Sequence, residues 1–363
     1  MPWSGRGLAL TGSRFTVDLL PMYPRDLVLP DRSFFLFGPR GTGKTTWLRA
    51  VLPDAHWIDL LSNRQLVRLT REPDRFGEEV EALAAGQWIV VDDVQRLPKL
   101  LDQVQQLLVR HARRWRFALT ASSTRRLKRE QANLLAGRVV NRRFFPLTAS
   151  ELGTDFHVET VLRSGCLPAV HAETGGDTAR ADILEAYAEN YLTQEIRQEA
   201  LVKRLDSFTR FLEVAALANA QVTNVSAIAR DAAVARPTVQ GYFEILVDTL
   251  VGVWLPAWRP RAKIKELAHP KFYFFDPGTV GTLGGGSASA DGPSVQRCID
   301  VSGSQRPDRA AARRALLAPV VGRGPTTPYA AGFVIWLATI LVQGLWQRFD
   351  SLSRGGHTPP NAA

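Results

Sequence analysis

The sequence predicts an α/β protein: a parallel sheet sandwiched by helices, followed by a helical domain and an irregular C-terminal tail. Three observations predict it. From about Arg32 to Leu152, short and mostly unbroken apolar runs alternate with helical segments, the pattern of strands covered on both faces. From about Ala181 to Tyr242 apolar residues recur every four positions, as on one face of a helix. After Asp276-Pro277-Gly278 the composition changes abruptly.

The expected strands are the runs 34–37, 57–60, 88–91, 117–120 and 144–147. In the helical part, Ile183, Tyr187 and Tyr191 form one stripe and Leu192 and Ile196 its neighbour, both expected to pack between helices. Residues 281–363 contain no lysine and no glutamate, yet hold 12 of the 28 glycines. There 284–290 reads as a flexible linker, and Arg309 to Arg314 as a short basic patch. Residues 329–346 are an 18-residue run without a charge. That is a minimal membrane-spanning length, but Gly332, Gln343, Gly344 and the lack of a flanking basic cluster argue against insertion. The chain thus divides into an N-terminal extension (1–24), an α/β core (25–155), a helical domain (156–280) and a tail (281–363).

With 363 residues there is room for two or three domains. A formal charge of +10 favours acidic partners: nucleic acid, nucleotide phosphates or an anionic surface. Two cysteines, Cys166 and Cys298, cannot build a disulfide framework or a four-ligand zinc site, and a cytoplasmic location is expected. Leu8-Ala9-Leu10 is too short for the core of a signal peptide. Met22, one of two methionines, is a candidate start of translation, which would leave 1–21 outside the product.

Gly38-Pro39-Arg40-Gly41-Thr42-Gly43-Lys44-Thr45 matches G-x-x-x-x-G-K-[ST] in full. An apolar strand run precedes it, and Thr46-Trp47-Leu48 continues as a helix. The glycines let the backbone curl so that successive N–H groups face one anion, and the helix N-terminus adds partial positive charge. Lys44 supplies a mobile cation to the β- and γ-phosphates, and the Thr45 hydroxyl completes a Mg²⁺ shell. Residues 38–46 are therefore the candidate phosphate cradle.

Forty-eight residues after Lys44, the run Trp88-Ile89-Val90-Val91 ends in Asp92-Asp93. An apolar strand ending in an acid places a carboxylate beside the loop. Asp92 is the candidate magnesium partner, and Asp93 the candidate to orient or deprotonate an attacking water. On the next run, Thr120 and Ser122 either reach the γ-phosphate or that water, or serve as turn and cap residues. Arg138, in Leu135-Ala136-Gly137-Arg138, is the candidate arginine for a transferring phosphate, supplied within an oligomer to a neighbouring subunit. The charge run at 125–129 reads as a solvated surface.

Asn224 to Val239 reads as a helix-turn-helix, with Pro237 in the first turn of the second helix. The turn calls for a positive φ, where Ala233 stands instead of glycine. Leu250 to Trp254 would form a following strand. As a DNA reader it would present Thr238 and Gln240 to the groove, with Arg230 and Arg236 on phosphates. Asp231 and Glu244 dilute that face, which favours packing or a lid over the nucleotide. The cluster Arg259, Arg261, Lys263 and Lys265 keeps nucleic acid in play. The six histidines show no metal-ligand spacing, and no G-x-S-x-G elbow exists. Cys166 reads as a small buried residue.

Together the loop at 38–45, Val91 to Pro98, Leu119 to Ser123, Leu134 to Arg138, Phe145 to Leu152, Ser164 to Pro168 and Lys271 to Asp276 resemble the AAA-type ATPases of prokaryotes that join a P-loop core to a C-terminal domain of unknown function. The resemblance covers about residues 22–280. It implies a P-loop NTPase core, binding of ATP with Mg²⁺, hydrolysis, and a winged-helix segment in the middle. Members usually carry glutamate at the position of Asp93; aspartate is one methylene shorter, so hydrolysis is expected to be slow. They also continue into a nuclease-like region absent from 281–363, a loss that suggests a frame change. The expected function is a Mg-dependent ATPase acting on DNA or protein. The alternative is a nucleotide-gated switch with little hydrolysis.

Overall fold

The computed structural model describes residues 23–111, 114–129, 135, 137–192, 205–255 and 270–285. Five strands form one parallel sheet: β1 (Phe34–Phe37), β2 (His56–Asp59), β3 (Trp88–Asp92), β4 (Arg116–Ala121) and β5 (Val140–Arg143), in the spatial order β2-β3-β4-β1-β5. β1 lies between β4 and β5, with Phe34 opposite Ala118 and Val140. Every residue of β1 is buried, because helices cover both faces. The two-residue period of a strand splits β1 between them. Phe34 and Leu36 pack with Trp47 and Leu48 of α1 (Lys44–Val51) on one face. Phe35 and Phe37 face the other way. Their cluster includes Leu69 of α2 (Asn63–Arg71), Phe76 and Val80 of α3 (Asp74–Glu81), and Leu101 and Val104 of α4 (Leu100–Arg110).

Four of the expected strands lie within a residue or so of their observed places. The fifth is corrected. The edge strand β5 is Val140–Arg143, half-exposed, and the aromatic run 144–147 leaves the sheet. Only Phe144 N continues the ladder, donating to Phe37 O at 2.7 Å. Pro146 has no N–H to give, and Phe144 turns to pack on Trp47.

A short α5 (Arg125–Arg129) follows β4. Beyond β5 come α6 (Ala149–Leu152), α7 (Val158–Ser164), α8 (Pro168–His171) and α9 (Gly176–Ala186). Next are α10 (Leu205–Leu217), α11 (Val225–Asp231) and α12 (Arg236–Asp248), then an antiparallel pair, β6 (Gly252–Leu255) with β7 (Lys271–Phe274), and α13 (Pro277–Leu283). Aromatic edges hold this part together: Phe243 meets Phe211 at 4.9 Å and Phe272 at 4.7 Å between ring centroids. Ile183 and Tyr187 pack on the same core. The side chains of Tyr191, Leu192 and Ile196 lie outside the described residues, as do 256–269 with their basic cluster.

The Asn224 side chain caps α11 by accepting from the amides of Ser226 and Ala227. The turn into α12 places Ala233 at φ 52°, the left-handed region that costs an L-residue with a Cβ about 1 kcal/mol. Ala233→Gly is therefore expected to raise unfolding stability by about 0.5–1 kcal/mol in a urea titration, with an unchanged slope. No gain would mean that the greater freedom of glycine in the unfolded chain cancels the relief.

Among the described residues no helix is long and apolar enough to cross a membrane. The run at 329–346, the extension before residue 23 and the tail after 285 lie outside them.

Candidate functional site

The parallel sheet brings the ends of β1, β3 and β4 to one edge, and the expected site residues other than Arg138 lie there. The loop from Gly38 to Gly43 joins β1 to α1. Its first residue has no room for a side chain: a Cβ on Gly38 would sit 2.1 Å from the carbonyl oxygen of Phe144. Gly41 and Gly43 take φ 72° and 89°, and these reversals curl the backbone into a concave anion-binding turn. Thr42 Oγ1 ties the loop to itself, donating to Pro39 O at 2.9 Å. Lys44 is buried, and its Nζ donates to Gly38 O at 2.7 Å and to Pro39 O at 2.8 Å. Thr46, two positions on, is exposed.

Asp92 ends β3 beside the loop. Its Oδ2 accepts from Thr45 Oγ1 at 2.8 Å, and its Oδ1 accepts from Thr120 Oγ1. Burial pushes the Asp92 carboxyl above the ordinary aspartate range, and the charge of Asp93 adds to this. The two hydroxyl hydrogen bonds and Lys44 pull the other way. Asp93 follows in a left-handed conformation, φ 58°, so the chain turns sharply just past the strand. Its N–H donates to Thr120 Oγ1 at 2.9 Å. Its carboxylate accepts from Gln95 Nε2 at 3.0 Å and from Arg40 Nη2 at 3.4 Å. Gln95 Nε2 also donates to Ser122 Oγ at 2.8 Å, while the buried Gln95 Oε1 has no partner among the described atoms.

Thr120 thus stands against the two acids, bridging Asp92 and the Asp93 amide, while Ser122 is linked to Asp93 through Gln95. Arg138 does not join them. It is exposed, two residues before β5, whose first residue pairs with the first residue of β1. The loop leaves the last residue of β1, so Arg138 lies at the opposite end of the sheet from this chain's own site. In the run 125–129, Arg125 is half-buried while Lys128 is exposed. Arg125 and Lys128 pair with Asp248 at 3.3 and 2.6 Å, and Thr124 N donates to Asp248 O at 2.8 Å. The end of β4 is thereby fastened to the last residue of α12.

Several residues at the site carry no motif. Arg25 donates to Thr42 O at 2.7 Å and to Phe145 O at 2.6 Å, and pairs with Glu151 at 2.9 Å. The Tyr187 hydroxyl donates to Arg40 O at 3.1 Å, and its ring lies where a Cβ on Gly41 would come within 3.2 Å. Thr148-x-x-Glu151 is a capping box in the structure, and that spacing is the one local signal that points to Glu151. Asp276, fully buried, accepts from Cys166 N at 2.6 Å and from Thr279 N at 3.0 Å. Cys166 itself is half-buried.

The donor set fits magnesium. A hydroxyl and a carboxylate, hydrogen-bonded at 2.8 Å, are hard oxygen donors of the kind Mg²⁺ takes one or two at a time, the rest coming from water and phosphate. Among the described residues no group of three or more His, Cys, Asp or Glu could hold an ion by itself.

A curled glycine loop between a buried central strand and a helix, faced by an acid at the end of a neighbouring strand, defines a P-loop domain of AAA type. Residues 30–153 match the family model described as an AAA domain, and residues 155–290 match a domain of unknown function (DUF8612). Residues 30–153 thus form an AAA-type P-loop domain, followed by a domain of unknown function. Uncharacterized proteins of Mycobacterium bovis and Mycobacterium tuberculosis are each 26% identical over 249 residues, 68% of this chain and 55% of theirs. The chain spans about half the length of the curated relatives it matches. Among solved structures, the Aeropyrum pernix ORC1 protein in complex with DNA has a TM-score of 0.28 at 15% identity, over 74% of this chain and 89% of that one. The ORC2 protein of the same organism, in its ADP form, has a TM-score of 0.32 at 13% identity, over 67% and 83%.

Proposed function

We propose that this chain is a magnesium-dependent ATPase that couples nucleotide binding and hydrolysis to a conformational change acting on DNA or protein in the cytoplasm. The observation that carries the reading is the hydrogen-bonded line Thr45–Asp92–Thr120 beside the Lys44 loop. In this reading residues 38–46 hold the phosphates. Thr45 and Asp92 hold the metal ion, which when bound would neutralise charge developing on the phosphate oxygens. Asp93 takes the proton of the attacking water, with Thr120 and Ser122 fixing its surroundings. Arg138, exposed two residues before the edge strand β5, would serve a neighbour's site in a homo-oligomer.

The partner side of this reading takes α11, α12 and the β6–β7 pair as a winged helix. Arg230, Arg236, Thr238 and Gln240 are all exposed, although Arg230 is paired with Asp231 at 3.0 Å. The fastening of Thr124 to Asp248 offers a mechanical link from the end of β4 to α12.

A second reading, a nucleotide-gated switch that hardly hydrolyses, is favoured by one observation: the short Asp93 carboxylate is held back by Arg40 and Gln95. Phosphate release from MgATP, measured with Lys44→Ala as blank and with and without duplex DNA, separates the two. Lys44-dependent release that Asp93→Glu raises about tenfold or more supports the ATPase with a short base. Lys44-dependent binding with no release from either protein supports the switch. Stimulation by duplex DNA would make α12 a reader; indifference to DNA leaves protein as the partner.

A further inference from the structure

We propose that Arg25 is a positioning residue for the phosphate loop, holding the Thr42–Gly43 peptide so that its amide keeps the orientation that meets phosphate. The inference rests on the reading above that this loop binds nucleotide. Each nitrogen of the Arg25 side chain has its own fixed acceptor: Nη1 on Thr42 O, Nη2 on Phe145 O and Nε on Glu151 Oε1. The guanidinium carbon stands 3.9 Å from the centre of the Phe144 ring, and the side chain is only 7% exposed. Glu151 is itself immobilised, since Oε1 also accepts from Asp26 N and Oε2 from Thr148 N, each at 2.9 Å. The strut therefore runs from a rigid cap on α6, across the exit of β5, to the loop.

The Thr42 carbonyl and the Gly43 N–H belong to one planar trans peptide, in which they point in opposite directions. A carbonyl drawn 2.7 Å from Nη1 turns the Gly43 N–H away from Arg25. Gly43 is the residue that opens α1, with its Cβ position 3.8 Å from the same Nη1. Rotation of this peptide would spoil an amide at the helix N-terminus, where an anion is bound. Burial draws the Arg25 pKa down while Glu151 opposes it, and a guanidinium remains charged at neutral pH. Lysine, a point charge without a planar fork, cannot meet three acceptors in these directions.

The test compares the full chain with Arg25→Gln, Arg25→Lys and Glu151→Gln below the melting temperature of each. Two quantities are read: amide hydrogen exchange across residues 38–45 without nucleotide, and affinity for MgATP by calorimetry. In Arg25→Gln we expect loop exchange to quicken, and MgATP to bind more weakly, by about tenfold or more. Glu151→Gln should fall between this and the parent, and Arg25→Lys should recover only part of the loss. Loop exchange and affinity within about twofold of the parent, with only the melting temperature lowered, would reduce Arg25 to a fold clamp and overturn the proposal. If Arg25→Gln does not fold, Arg25→Lys and Glu151→Gln are judged by the same two readings. A parent that binds no MgATP would sink the nucleotide reading instead, and loop exchange would still decide whether Arg25 holds the loop.

Discussion

Asp92→Asn is expected to abolish magnesium-dependent phosphate release, by about a hundredfold or more, and also to raise the melting temperature of the nucleotide-free protein by about 2–4 °C. The two effects share one cause. Burial raises the Asp92 pKa above its ordinary value, against the pull of Thr120 and Thr45. For a group raised in this way the stabilisation is complete below its unfolded pKa and is lost as pH rises through the folded one. At neutral pH the buried carboxylate is therefore a net cost, which asparagine removes while keeping the shape. In the proposed function that carboxylate is needed to bind a cation. Because a metal ion binds only the deprotonated form, affinity for Mg²⁺ should weaken on acidification at a higher pH than an ordinary aspartate would give. Calorimetry of both proteins at neutral pH and near pH 5 provides the check. A variant that melts below the parent at neutral pH would mean that the bonds to Thr45 and Thr120 outweigh burial.

Asp276→Ala should cost about 3 kcal/mol, lowering the melting temperature by about 6–12 °C. One carboxylate does two jobs there. Its Oδ2 caps α13 through Thr279 N and Oγ1, and its Oδ1 accepts the half-buried Cys166 amide, which alanine would leave without that acceptor. The chain around it is shaped to admit it: Gly165 has φ 75°, and a Cβ there would lie 2.2 Å from Asp276 Oδ2. Cys166 O in turn accepts from Leu147 N at 2.8 Å, so the damage reaches the run that leaves β5. Because burial raises the Asp276 pKa, losing the charge gives back part of the cost. A loss below about 1 kcal/mol by thermal melting would show that water takes over both bonds.

The loop at 38–45 and the pair Asp92-Asp93 are legible in the sequence because their chemistry depends on local spacing: a curl of backbone, and an acid at the end of a strand. Ala233 is legible for the same reason, its positive φ following from the turn it must make. The run 144–147 misleads because aromatic residues next to a sheet read alike whether they pair or only pack. Arg25, Gln95 and Tyr187 are silent in the sequence. Arg25 meets Glu151 across 126 positions, and Tyr187 meets Arg40 across 147, and no spacing rule reaches that far. Arg138 was legible as an arginine but not as a place, because its distance from the loop depends on which end of β5 it precedes.

The strut from Arg25 to Glu151 also bears on how the chain emerges during synthesis. Arg25 is made 126 residues before its carboxylate anchor, and β1 cannot take its final place until β4 and β5 exist to flank it. Parallel pairing at such separations closes large loops before it gains contacts, which slows folding. A nascent chain therefore carries the whole phosphate-loop motif well before it can hold that loop in shape. Throughout that interval the apolar strand β1 lies open, the condition in which chains aggregate or engage chaperones.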